Sequence, residues 1–148
     1  MRPGVLTWPL LGLRALGIAR RQLDVVEVRG RSMAPTLLPG DRLLVARLPP
    51  RVGDVVLAPD PRAPHRELVK RVVSADECGL VVRGDNPAAS TDARTFGALP
   101  RDAVRWRVVG RYWPVTRAGP VGPAPKPNPL DEGGEPACAF PESLTAGD

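Results

Sequence analysis

Between Val25 and Trp113 the chain is cut into short β-type runs. "VVEVR", "RLLVARL", "DVVLA", "ELVKRVV", "LVVRG" and "AVRWRVVGRYW" are rich in β-branched residues and separated by Gly, Pro and Asp. Nineteen prolines weigh against a helical bundle, because proline removes a backbone donor and clashes inside a helix. The spacing predicts a mainly β fold, a compact antiparallel barrel or sandwich built from hairpins. At 148 residues and 43% hydrophobic content, one domain with one real core is expected.

The two ends differ from this middle. Residues 1–24 hold "GVLTWPLLGLRALGIARRQ", whose apolar part from Val5 to Ala19 is interrupted by Pro9 and Arg14. A spanning helix needs roughly 20 mostly apolar residues, so this stretch falls short. Leu10, Leu13, Leu16 and Gly17 follow helical spacing, which predicts a short amphipathic helix lying on the domain or on a bilayer. The β-rich middle is placed at 25–116. From 117 to 148 the composition turns to Pro and Gly without periodicity, and a disordered tail is expected there.

The net charge of +5 is unevenly shared. Residues 117–148 carry two basic and five acidic residues, leaving nineteen basic against eleven acidic in the body. Those basic residues are spaced singly between valines and leucines, the pattern of solvated strand faces, so no nucleic-acid partner is expected. Aromatics for base stacking are also scarce, at 4%. Cys78 and Cys138 are the two cysteines; they make no disulfide framework, which fits a reducing compartment. With one histidine and no CxxC, neither a metal site nor a cofactor is expected. His65 sits in the proline-flanked "DPRAPHRE" and reads as a solvated loop residue.

Three segments carry candidate chemistry. In "RGRSMAPTLLPGD", Ser32 stands between a glycine and a proline that shape the local backbone. In "ELVKRVV", strand alternation puts Leu68, Lys70 and Val72 on one face and Val69, Arg71 and Val73 on the other. Nineteen of the 21 basic residues are Arg, so a lysine here asks for a reason. Arginine stays charged, while a lysine desolvated among aliphatic side chains can give up its proton. The alternative is a lysine snorkelling at a sheet edge. In "GDNPAASTDARTFG", Ser90, Asp92 and Arg94 alternate, so an extended segment points all three one way. Alone, this is a polar loop with an Asp92–Arg94 ion pair.

Together, "SMAPTL", "LVKRVV" and "GDN…S-x-D-x-R…G" in this order resemble the successive motifs of the signal peptidase I family of Ser–Lys peptidases. The resemblance runs over residues 29–97 and on to about Trp113. It implies Ser32 as nucleophile and Lys70 as general base. Ser90 falls where that family has a lysine-orienting hydroxyl, with Asp92 and Arg94 in support. The backbone N–H of Ser32 is a candidate oxyanion donor. Where some relatives have a second donor hydroxyl, two residues before the nucleophile, this chain has Gly30.

With 37 residues between Ser32 and Lys70, the catalytic core has no large insertion. In that respect the chain is most similar to the small maturation proteases of nickel-type superoxide dismutase. That likeness implies a cytoplasmic, monomeric endopeptidase that removes a leader from a precursor protein. The alternative is a membrane-associated type I signal peptidase cleaving secretory precursors, with residues 5–19 touching lipid.

Overall fold

The computed structural model describes residues 22–90 and 97–125. Six strands form one sheet: β1 (Leu23–Glu27), β2 (Arg42–Ala46), β3 (Val55–Asp60), β4 (Ala63–Asp76), β5 (Gly79–Arg83) and β6 (Trp106–Trp113). Their order is β1-β2-β6-β3-β4-β5, and every neighbouring pair is antiparallel. The mainly β, antiparallel class expected from the short runs is the one observed. The sheet does not close into a barrel, for β1 and β5 remain its two ends. The outer edge of β5 is instead met by the returning chain, where Leu80 and Leu99 exchange backbone hydrogen bonds of 2.8 Å. The helix expected in the first 24 residues falls almost wholly outside the described residues.

β3 shows how the sheet is stabilised. It is central and buried on both faces, as its unbroken apolar run requires. Val55 and Leu57 join Val28, Met33, Leu37, Leu43 and Val45 in one cluster, while Val56 and Ala58 join Val72, Leu80, Val82, Leu99 and Val104 in another. Each such side chain contributes about 1.5–3 kcal/mol when fully buried. β4 is longer than the expected seven-residue run. His65 therefore lies within a strand and not in a loop, though it is exposed as expected.

After β6 the chain turns at Val115–Arg117 and folds back on the domain. Arg111 and Gly119 exchange backbone hydrogen bonds of 2.8 Å, and Val121 packs against the first cluster. The boundary expected between 116 and 117 thus falls inside this return, which stays tied to the domain as far as Gly122. Proline-rich composition hid it, because a bridge at Gly119 and one packed valine leave no periodic pattern. Cys78, in the β4–β5 turn, is disulfide-bonded.

Candidate active site

Ser32 lies in the loop between β1 and β2. The base of that loop is closed by Val28 N–H to Asp41 O and Gly40 N–H to Val28 O, both 2.8 Å. Its tip is a turn in which Ala34 N–H bonds to Arg31 O at 3.1 Å and Leu37 N–H to Met33 O at 2.9 Å. Met33 and Leu37 are buried in the first core cluster and act as anchors, leaving the partly exposed Ser32 between them and Arg31. The Ala34–Pro35 peptide is cis.

A second turn, Gly84-Asp85-Asn86 after β5, holds this loop from the other side. Asn86 donates its backbone N–H to Ser32 O at 2.9 Å and its side-chain amide to Arg31 O at 3.2 Å. Thr36 donates its hydroxyl to Asp85 Oδ2 at 2.6 Å. Asp85 is in turn held by a two-pronged bond from Arg71, with Nε to Oδ1 at 2.9 Å and Nη2 to Oδ2 at 2.8 Å. The far end of the loop is tied to the C-terminal return. Arg111 and Arg117 converge on the buried Asp41 at 3.1 and 3.0 Å, and both also donate to the Thr36 carbonyl.

Lys70 is directly opposite Val56 in the β3–β4 ladder, on the face of the second cluster, and is 2% exposed. Its Nζ donates to Ser90 Oγ at 2.7 Å. Arg71 pairs with Arg83, so the next antiparallel position across from Lys70 is Gly84. A methyl group on Gly84 would collide with Ser90 Oγ and with the Ser32 carbonyl oxygen, and would sit 2.7 Å from Ser90 Cβ. The backbone of Gly84 is therefore wedged between the two serines. Ser32, Lys70 and Ser90, drawn from three separate elements, are brought together around it.

Asp92 and Arg94 lie outside the described residues. Gly30 faces open space, with nothing within 4 Å of where a side chain would begin. Arg71, Asp85, Asn86, Thr36 and Gly84 were not anticipated as site residues, although "GDN" and "KR" mark four of them. The available signal was alternation: Arg71 falls on the face opposite Lys70, with Val69 and Val73. Among the described residues there is no cluster of three or more metal-ligating side chains, and no helix long and apolar enough to cross a membrane.

Residues 5–76 match the family described as signal peptidase, peptidase S26. The chain is 34% identical to the mitochondrial ATP-independent inner membrane protease subunit 1b of Arabidopsis thaliana, over 65% of this chain and 73% of that one. It is 30% identical to the mitochondrial inner membrane protease subunit 1 of Xenopus tropicalis, over 69% and 76%. Against a signal peptidase I of Leptolyngbya laminosa it is 27% identical, over 82% and 84%.

Proposed function

This chain belongs to the signal peptidase S26 family, and from that premise we propose that it cleaves with a Ser–Lys dyad, Ser32 as nucleophile and Lys70 as general base. Membership makes it a peptidase acting on protein or peptide substrates. The observation that supports the dyad is the burial of Lys70 with its Nζ on Ser90 Oγ, beside the glycine that also abuts Ser32. Burial disfavours the ammonium relative to the neutral amine. A neutral Lys70 takes the Ser32 hydroxyl proton as Oγ attacks the scissile carbonyl. It then returns that proton to the leaving amine, and repeats the role when water hydrolyses the acyl-enzyme. Ser90 orients the amine, with Asp92 and Arg94 in support. The Ser32 N–H donates to the developing oxyanion.

The substrate is the N-terminal leader of a precursor protein. The relatives named above are inner membrane proteases and a signal peptidase I, which favours the membrane-associated reading over nickel superoxide dismutase maturation. Co-expression with a secretory precursor and, separately, with a nickel superoxide dismutase precursor tests both points by intact mass. Loss of a leader with wild type and not with Ser32→Ala supports the dyad, and the precursor that is trimmed identifies the substrate class. Equal trimming by Ser32→Ala would overturn Ser32 as nucleophile.

A further inference from the structure

Away from Ser32 and Lys70, a groove of about 500 Å³ opens beside the β4–β5 turn. Its floor is apolar, with Leu80 and Val104 fully or nearly buried and Leu48 exposed. Its rim is cationic: Arg47, Arg101 and Arg105 line it, against the single acidic residue Asp102. Local contacts fix these guanidiniums in place. Arg47 lies over the Trp106 ring at 5.0 Å, Arg101 Nη2 bonds to Asp76 O at 3.1 Å, and Arg105 Nε bonds to Asp102 O at 3.2 Å. Each guanidinium has five N–H donors, so these contacts leave donors over for a carboxylate.

Cys78 is linked to this groove through Asp76 and Arg101. It lies two residues before Leu80, its N–H is held by Asp76 Oδ1 at 2.8 Å, and the carbonyl of that same Asp76 is held by Arg101. Cys78 is disulfide-bonded, and the chain's other cysteine is Cys138. Around Cys138 the sequence runs "LDEGGEPACAFPE", with Asp131, Glu132, Glu135 and Glu142 beside Ala139 and Phe140. Acidic groups matched to the rim and an apolar group matched to the floor thus occur within a few residues of the second thiol. Cys138 is thirteen residues beyond Pro125, a span that can reach up to about 45 Å.

From these observations we infer that the arginine-rimmed groove is the docking site of this chain's own acidic segment, residues 131–142, tethered by a Cys78–Cys138 disulfide. The Asp and Glu carboxylates meet Arg47, Arg101 and Arg105, and Phe140 covers the apolar floor. Closing the tether makes one S–S bond from two thiols. The two electrons and two protons pass to a small-molecule disulfide, which leaves as two thiols. This inference is independent of the roles proposed for Ser32 and Lys70.

The test uses full-length protein purified without reductant. Peptide mapping by mass spectrometry is expected to find Cys78 linked to Cys138; a Cys78–Cys78 link between two copies, or an unlinked Cys138, overturns the tether. A glutamate-specific endoprotease then reads docking as the rate of cutting after Glu132 and Glu142, with the disulfide intact. The Arg47→Ser/Arg105→Ser variant, which spares Arg101, is expected to be cut about fivefold faster at low salt. Wild-type cutting should accelerate as salt is raised, a readout that needs no substitution. A cutting rate that neither the variant nor salt changes overturns the groove as the docking site.

Discussion

Lys70 and Arg71 are neighbours on one strand, both almost excluded from water, yet they are partnered in opposite ways. Arg71 makes four hydrogen bonds: two to Asp85, one to Gly53 O at 2.9 Å and one to Gly122 O at 3.1 Å. Its planar fork matches a carboxylate, and its charge is permanent. Lys70 meets a hydroxyl, Ser90 Oγ, on the other face of the sheet. A compact amine that can lose its proton suits chemistry; a fork that cannot suits architecture. Strand alternation sets the two back to back, so one segment supplies both the proposed base and the brace of the nucleophile loop.

The largest expected effect separates the two faces. Lys70→Arg should lower kcat by about 10²–10⁴, because arginine cannot act as a neutral base. Lys70→Met should lose activity equally while its urea midpoint stays near wild type, since a buried amine is replaced by an apolar chain of similar size. Turnover and urea unfolding on the same samples check both. A Lys70→Arg enzyme with near-normal turnover would remove the distinction between the two cations.

Arg71→Met should behave in the reverse sense, costing about 3–5 kcal/mol of stability by leaving Asp85 buried without its partner. Side-chain exposures of 5% and 3% for this pair place it in that regime. Chemical denaturation measures the loss. Activity should fall only as far as the loop is loosened, and part of it should return in Arg71→Met/Asp85→Leu, where no charge is stranded. An unchanged denaturation midpoint would show that the brace carries no weight.

Between these faces sits Gly84, and Gly84→Ala tests whether their spacing matters. The added methyl must displace Ser90 or the Ser32 carbonyl, and misplacement by about 1 Å costs roughly 10²-fold in rate. The expected signature is a large fall in kcat with a smaller change in KM, read by steady-state kinetics on a peptide substrate. Wild-type kcat in Gly84→Ala would mean that the serines need no such close approach.

Some of this was legible in the sequence and some was not. The β runs were readable because β-branched residues alternate between turn formers, and Lys70 stood out as the lysine of an arginine-rich chain. The roles of Asp41, Arg111 and Arg117 were not readable. They lie up to 76 residues apart, and an ion pair of that separation leaves no local pattern. The covering of the β5 edge was not readable for a similar reason. The bridge between Leu80 and Leu99 comes from a segment with no strand signature of its own. Alternation set Arg71 apart from Lys70, but its partner Asp85 lies 14 residues away in a turn, and no local pattern links the two.

The smallest effect comes from a contact that is local where Arg71–Asp85 is distant. At the β3–β4 hairpin, Arg62 donates to Asp60 through its side chain at 3.1 Å and its backbone N–H at 3.0 Å. The Arg62 side-chain bonds, followed by its backbone N–H, hold the Asp60 carboxyl below its usual range, against the opposing effect of desolvation. A carboxyl lowered in the folded state adds stability above its unfolded value of about 3.9. That contribution is lost as pH falls through the lower folded value. Arg62→Ala should therefore lower the neutral-pH midpoint by a small amount, shift acid unfolding slightly to higher pH, and show less effect as salt rises. Acid titration by circular dichroism at two salt concentrations reads the shift. Both carboxylates are buried, so a change as large as that of Arg71→Met would mean that the exposure of the arginine, 49% for Arg62 against 5% for Arg71, does not separate the two pairs.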